Sequence, residues 1–166
     1  MGMDVFGNKP IIRSEKPETI NYNSASDAER TTYFDTLREW EQENPGVYFR
    51  ANCWAWRPLH DLIFQLCGDL IDSKTMDSMG ANDGAGPQTQ KVCTKMASRF
   101  EEWLEHNTEG HSLDLGCHVL AGTGRFAKQE DLDNPAVKTE TAYFIHDEHI
   151  KEFVNFLREC GGFSVC

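Results

Sequence analysis

The chain has 166 residues and a hydrophobic fraction of 39%, which fits one domain with its own core and excludes a wholly disordered chain. Its formal net charge of −11, from 27 acidic and 16 basic residues, excludes general binding to DNA or RNA, because that binding needs cations that displace condensed counterions. The sequence contains no apolar run long enough to span a bilayer and no signal-peptide pattern at its start, so we predict an intracellular protein without a membrane partner.

The N-terminal part of the chain is predicted to contain one strand and one helix. Met3–Phe6 has the pattern of a short strand and is followed by a Gly-Asn turn, and the polar stretch that continues to Asn23 is predicted to be a loop. Ser26 with Glu29 three residues later forms a capping box. Apolar residues at helical spacing follow it, so we predict a helix over Asp27–Glu43.

A second helix is predicted to begin at Pro58, because a proline at the first helical position loses no hydrogen bond. Its apolar face is expected to pack centrally and consists of Leu59, Leu62, Ile63, Leu66, Cys67 and Leu70. The polar stretch Asp72–Gln88 contains the string MGANDGAGP and is predicted to be a shaped loop. This loop leads into a helix whose first residue is predicted to be Pro87.

The second half of the chain is predicted to contain two helices, the third, which begins at Pro87, and a fourth. The apolar residues of the third are Val92, Met96, Phe100, Trp103 and Leu104. The run LDLGCHVLAGT (113–123) is either a strand or a buried turn, and KQEDLDNPAVK (128–138) is a surface excursion. Thr141–Ile145 has the bias of a strand.

The last helix is predicted to be capped by Asp147 and to end at Gly161, whose flexibility suits a Schellman stop. Its inward residues are predicted to be Ile150, Phe153, Val154, Leu157 and Cys160. Together these elements predict an α+β fold, an α-rich single domain over residues 1–166 with about four helices and a few short strands.

The stretch YFRANCWAWRPL is the main candidate for a binding site. One interpretation places its aromatic residues in the core, with its arginines stacked on rings or paired with acids. The other holds that an irregular approach to a helix N-terminus leaves backbone N–H groups free. Arg50 and Arg57 would then hold an anion, Asn52 would bind polar edges, and Trp54 or Trp56 would stack on a ring.

A second candidate is the glycine-rich string MGANDGAGP, in which Asn82 and Asp83 offer side-chain hydrogen bonds. It is neither a P-loop nor a dinucleotide fingerprint. A plain surface turn is the simpler interpretation, although such a loop before a helix can also cradle an anion.

Metal binding and thiol chemistry have weak support in the sequence. The six cysteines and six histidines form no CxxC or HExxH motif, so we predict free, buried thiols and neither a metal site nor a cofactor. Cys53, Cys93 or Cys117 could pair with His60 or His118 as a nucleophile and base, but no flanking signature selects one pair.

Four blocks of the sequence, MGMDVFGNKP, YFRANCWAWRPLHDL, GANDGAG and FVNFLRECGGFSVC, resemble a family of small bacterial and phage proteins. The resemblance implies no particular reaction. It implies a phage or prophage accessory protein in the bacterial cytoplasm, a class whose members often act by binding. Because the first two blocks usually lie closer together in that pattern, we interpret residues 18–44 as a helical insertion.

These observations predict a non-enzymatic binding protein, specifically a counter-defence protein that sequesters a small anionic, nucleotide-like ligand. One alternative is an acidic interaction module that inhibits a host protein, which the net charge of −11 favours. Another is a zinc- or thiol-dependent hydrolase. The sequence leaves open a homo-oligomer.

Overall fold

The structure is a computed structural model that describes residues 2–166. Across these residues the chain forms six helices, which are α1 (Asp27–Glu43), α2 (Cys53–Cys67), α3 (Ser73–Gly80), α4 (Gln90–Leu104), α5 (Gln129–Leu132) and α6 (Asp147–Glu159). It also forms seven strands, which are β1 (Gly2–Gly7), β2 (Tyr48–Asn52), β3 (His111–Ser112), β4 (His118–Leu120), β5 (Thr139–Thr141), β6 (Phe144–Ile145) and β7 (Phe163–Val165). The predicted α+β class is confirmed, and α3 and α5 are added to the four predicted helices.

A three-stranded antiparallel sheet has the order β2–β1–β7, with β1 in the centre. Val5 of β1 lies opposite Phe49 of β2 and Val165 of β7. Side chains along a strand alternate between its two faces, so Met3 and Val5 are buried while Phe6 is exposed. The predicted first strand is confirmed.

The hydrophobic core lies between this sheet and the helices α2, α4 and α6. The ring of Phe153 on α6 lies 5.1 Å from that of Phe49, 5.6 Å from that of Phe100 and 6.1 Å from that of Phe163. It therefore contacts a strand, a helix and the other edge strand at once. The inward face predicted for the last helix is confirmed, because all of its residues are buried: Ile150, Phe153, Val154, Leu157 and Cys160.

α1 has the predicted bounds, and its predicted capping box is present between Ser26 and Glu29. Trp40 is the one buried residue of this helix, and its indole Nε1 donates a hydrogen bond to the carbonyl of Ser14 over 2.9 Å. The helix therefore lies at the periphery. Its identity as an insertion stays a prediction.

The prediction that α2 begins at Pro58 is wrong. The helix begins at Cys53, because the side chain of Asn52 caps it by accepting hydrogen bonds from the backbone N–H groups of Trp54 (3.0 Å) and Ala55 (2.9 Å). Pro58 is buried inside the helix. The expectation of an irregular chain segment before this helix is wrong as well, because the regular strand β2 continues directly into α2.

The prediction of a loop throughout Asp72–Gln88 is wrong in its first half, which forms α3. The side chain of Asp72 caps this helix by accepting from the N–H of Thr75 over 3.0 Å, and Met76 and Met79 face the core. Pro87 is buried ahead of α4 and is not its first residue, because Thr89 is the N-cap.

The part of the chain that connects α4 to α6 forms two small sheets. β3 pairs with β6 and β4 pairs with β5, so the strand predicted at Thr141–Ile145 is divided between two sheets. Residues 113–123 form β4 and turns that are half-buried or exposed, so the buried-turn alternative is wrong. The predicted surface excursion contains the short, exposed helix α5.

The predicted cap of α6 is displaced by one residue. His146 occupies the N-cap position, while Asp147 lies in the first turn and accepts a hydrogen bond from Nζ of Lys151 over 2.7 Å. Gly161 follows the helix with a φ of 67°, a left-handed conformation that glycine adopts readily, as the predicted stop requires. Within residues 2–166, no helix is long and apolar enough to cross a membrane.

Candidate functional site

The two arginines of YFRANCWAWRPL lie in different places because the strand ends and the helix begins between them. Arg50 extends from β2 with a side chain that is 67% exposed, and its Nε lies 3.7 Å from a carboxylate oxygen of Asp4. The hydroxyl of Tyr48 also donates to Asp4, and burial together with this hydrogen bond raises the pKa of Tyr48 to about 12. Arg50 therefore belongs to an ion-pair cluster on the sheet.

Asn52 and Trp54 have structural contacts. The carboxamide oxygen of Asn52 is already bonded to the first turn of α2. Trp54 is half-buried, and its ring lies 4.9 Å from that of Tyr143 and 5.4 Å from that of Phe126. These contacts connect the start of α2 to the segment that carries the small sheets.

Trp56 is almost completely buried, with 1% of its surface exposed. Its indole Nε1–H is buried without a hydrogen-bond partner in the described part of the chain. Such an orphan donor is uncommon and costs about 1–3 kcal/mol of stability. An acceptor at this position would remove that cost.

Arg57 is exposed, yet Tyr143 holds its guanidinium in place. One Arg57 nitrogen donates to the Tyr143 hydroxyl over 2.9 Å, and the guanidinium carbon lies 5.1 Å from the centre of the same ring. The combination of a hydrogen bond and a cation–π contact restricts the side chain before any ligand arrives.

A cleft of about 450 Å³, which we call the α2 cleft, lies along this helix. It is lined by Trp56, Arg57, His60, Asp61, Phe64, Gly80, Leu113 and Leu115. Along α2, the neighbours Trp56 and Arg57 are followed by His60 and Asp61 and then by Phe64, at steps of three or four positions, so all five share one helix face. The cleft combines one cation, one carboxylate and a mainly apolar wall.

The hydrogen bonds of His60 and Asp61 define the polar side of the α2 cleft. Nε2 of His60 lies 2.8 Å from the carbonyl oxygen of Met76, which can only accept, so Nε2 carries a proton in this contact. One oxygen of Asp61 lies 2.9 Å from Nε2 of His111 and accepts from Gln65 over 2.7 Å. The Asp61 carboxylate is therefore held in one orientation.

The structure does not bring all the predicted site residues together. Trp56 and Arg57 line the α2 cleft, whereas Arg50 lines separate clefts near Tyr48. Asn82 and Asp83 are exposed beyond α3 and are not among the α2 cleft's lining residues. The positive φ of 61° at Asn82 fits the plain-turn interpretation of that loop.

Sequence reasoning considered His60 only as a possible base for a cysteine, and it did not assign Asp61 or Phe64 to a site. Their spacing of three, four and seven residues from Arg57 was an available signal, since it places them on the same face of a helix. The earlier assumption that the helix began at Pro58 hid this signal. Leu113 and Leu115 reach the cleft through tertiary packing, which the spacing of residues does not reveal.

The thiols and the possible metal ligands lie elsewhere. None of the six cysteines lines the α2 cleft, and Cys67, Cys93 and Cys160 are buried in the core. Burial raises the pKa of the Cys67 thiol to about 11, and a hydrogen bond between the other two lowers the pKa of Cys93 and raises that of Cys160. Within residues 2–166, no group of three or more His, Cys, Asp or Glu side chains is arranged to hold a metal ion.

Comparisons of the chain with protein-family models, with curated proteins and with solved structures find no match.

Proposed function

We propose that this protein binds a small, planar, anionic ligand in the α2 cleft without transforming it. The observation that carries the proposal is the arginine of this cleft, Arg57, whose guanidinium is oriented in advance by the hydroxyl and the ring of Tyr143. An arginine that is already restricted loses less conformational entropy when it binds a carboxylate or phosphate, so more of the interaction energy remains as affinity.

The exposed apolar side chains of the α2 cleft support an organic ligand, and the cleft is large enough to hold one. Its volume of about 450 Å³ lies within the range of about 300–1,000 Å³ that small-molecule sites occupy. Phe64 is 62% exposed and Leu115 is 50% exposed, so apolar surface is available to a ring. We therefore retain a nucleotide-like molecule as the ligand class, with the ring against this wall and the anion at Arg57.

The test is a thermal unfolding panel with nucleotides, run on the full chain and on two arginine variants. A ligand at a hundredfold excess over its Kd should raise the free energy of unfolding by about 2.7 kcal/mol. For a domain of this size, that corresponds to a rise in Tm of about 5–10 °C.

We expect Arg57→Gln to abolish the shift and Arg50→Gln to retain it, because the two arginines lie in different clefts. Both changes remove one positive charge from the sequence's candidate stretch, so Arg50→Gln is a matched control. If only Arg50→Gln lost the ligand-induced rise in Tm, the binding site would lie near Arg50 on the sheet and not in the α2 cleft. Absence of a shift with every nucleotide would contradict the proposal.

An acidic interaction module is the second candidate, and one observation favours it. α1 buries only Trp40, while Phe34 is 42% exposed and packs 5.8 Å from the ring of Tyr22, which is 49% exposed. A host protein with a basic surface is the partner proposed for this helix. Capture of such a protein at low salt should fail with a Phe34→Ser variant and persist with a Thr36→Ser control. Equal capture by both variants would remove this candidate.

The cytoplasmic location in a bacterial host and the counter-defence role stay predictions that rest on the sequence resemblance alone.

A further inference from the structure

We infer that the α2 cleft selects planar ligands with a single negative charge and discriminates against polyphosphates. The inference rests on the binding function proposed above and narrows its ligand class. The ligand class is a heteroaromatic ring with one negative charge. That charge can come from a cyclic phosphodiester or from a carboxylate on the ring.

The charges of the lining residues carry the inference. Arg57 is the only lysine or arginine among them, and Asp61 lies four residues further along the same face of α2. Side chains four residues apart on a helix are neighbours, with about 5–6 Å between their Cβ atoms. One negative group of a ligand can pair with Arg57. A second negative group would lie near the carboxylate of Asp61, and the cleft has no other arginine or lysine to compensate its charge.

The position of Asp61 makes this repulsion difficult to relieve. His111 and Gln65 both bond to its Oδ2, so the carboxylate cannot rotate away without losing those hydrogen bonds. It is also partly shielded, with 28% of the side chain exposed. Like charges repel more strongly in such a partly desolvated position than in bulk water. The net charge of −11 acts in the same direction at longer range.

Two uncharged groups of the cleft complement a heterocycle. The indole Nε1–H of Trp56 lacks an acceptor, and Nδ1 of His60, the ring nitrogen that does not contact Met76, accepts a hydrogen bond when the ring is neutral. A ring that carries both an acceptor and a donor would satisfy them. Nε1 of Trp56 is shielded from solvent, so a ligand can bond to it only if the cleft wall moves.

Isothermal titration calorimetry at one pH and one ionic strength tests the charge limit. The probes share one base and differ in charge: adenosine 3′,5′-cyclic monophosphate, AMP and ATP, with the corresponding guanosine series. A planar ring carboxylate, indole-3-carboxylate, distinguishes carboxylate from phosphodiester recognition. We expect at least one monoanion to bind tenfold or more tightly than AMP, GMP, ATP and GTP.

Charge variants then test the cause. Asp61→Asn removes the charge but keeps an acceptor for His111, and it should reduce the preference for monoanions at least threefold. Asp35→Asn on α1 removes the same charge outside the cleft. This control should leave the preference unchanged. Phe64→Lys adds a cation at an exposed position of the wall and should raise the affinity for AMP or GMP at least tenfold relative to Phe64→Gln. This second pair keeps the test decisive if Asp61→Asn fails to fold.

Equal or tighter binding of ATP or GTP to the unmodified protein would overturn the charge limit. Unchanged selectivity in both Asp61→Asn and Phe64→Lys would do the same. In either case the proposed function would survive if Arg57→Gln still abolished binding. Failure of every probe to bind would instead remove the proposed function together with this inference.

Discussion

Asn44 is a fully buried polar side chain that joins three parts of the chain. Its carboxamide oxygen accepts from the backbone N–H of Arg13 over 2.6 Å, and its nitrogen donates to the Trp40 carbonyl and the Ser14 hydroxyl. The side chain of Arg13 continues this connection to Glu159 of α6. The Asn44 amide therefore attaches the long N-terminal loop to the end of α1, and the Arg13–Glu159 ion pair attaches the same loop to α6.

Replacing Asn44 with alanine should lower the free energy of unfolding by about 1–3 kcal/mol, because the three hydrogen bonds of this buried amide are lost and the partly buried N–H of Arg13 loses its acceptor. Urea denaturation gives the change, and limited proteolysis should show faster cleavage within residues 8–26. Asn155→Ala, at an exposed position of α6, is the control and should change stability by less than about 0.5 kcal/mol. Equal effects of the two variants would contradict the role of Asn44.

Asn52 provides a direct comparison between a cap and a ligand contact. Asn52→Ala should lower the free energy of unfolding by about 1 kcal/mol, and Asn52→Asp should restore most of it, because a carboxylate also caps the first turn of α2. Urea midpoints check this order. Calorimetry should show unchanged ligand affinity in Asn52→Asp. A large loss of affinity in this variant would indicate that Asn52 contacts the ligand.

α1 depends on very few contacts with the rest of the protein. Trp40 is its one buried residue, and the hydrogen bond from Trp40 to Ser14 fixes the helix to the preceding loop. An element with few buried apolar contacts opens at a lower free energy than the core. In contrast, the helices α2, α4 and α6 contribute many fully buried side chains.

The change Trp40→Ala should therefore release α1 while leaving the core folded. Hydrogen exchange followed by mass spectrometry should show rapid exchange of residues 27–43 and retained protection in α4 and α6, since those helices pack on each other away from Trp40. Phe34→Ala, on an exposed side chain of the same helix, is the control. Loss of protection in α4 would instead show that α1 is integral to the core.

Local signals were sufficient to predict α1 and the inward face of α6, because a capping box and an apolar stripe are written into neighbouring residues. The start of α2 was missed because Pro58 matched a preference for the first helical turn, although Asn52 is the actual cap. α3 was missed because its polar, glycine-containing sequence masked the cap at Asp72. The three-residue spacing of buried Met76 and Met79 was the available clue.

The candidate site could be predicted only in part. The stretch that was singled out does contribute Trp56 and Arg57 to the α2 cleft, but the switch from strand to helix at Asn52 directs Arg50 elsewhere. The pairing of Asp61 with His111 joins residues 50 positions apart. Such contacts depend on how the small sheets pack on α2, which no local pattern encodes.

Electrostatic pairing across the whole molecule makes its stability depend on pH. Hydrogen bonds with basic partners lower the pKa of Asp69 (from Arg99), Asp147 (from Lys151) and Glu159 (from Arg13). A carboxyl whose pKa is lower in the folded state stabilises the fold above its unfolded pKa and loses that contribution as the pH falls. Burial raises the pKa of Glu41, which acts in the opposite direction. Carboxyls with a lowered pKa are more numerous than carboxyls with a raised pKa, so acid should destabilise the protein.

The free energy of unfolding should fall continuously as the pH decreases below about 4.5, the ordinary value for a glutamate, through the lowered pKa values of the paired carboxyls. Urea denaturation at a series of pH values measures this decline. Glu159→Gln should be less stable at pH 7 and should show a shallower decline, because it has one such carboxyl fewer. A free energy that stays constant or rises on acidification would contradict this account.

The antiparallel contact between β1 and β7 has a mechanical consequence. Backbone hydrogen bonds join Asp4 and Cys166 in both directions, at 3.0 and 2.7 Å, and the pairing continues inward to Gly7 opposite Phe163. If tension is applied between residues 2 and 166, the load falls first on the outermost pair and breaks these bonds one after another, as in a zipper. The sheet should therefore open at low force, whereas handles placed at residues 7 and 166 would load the same bonds together in shear and should require a higher force.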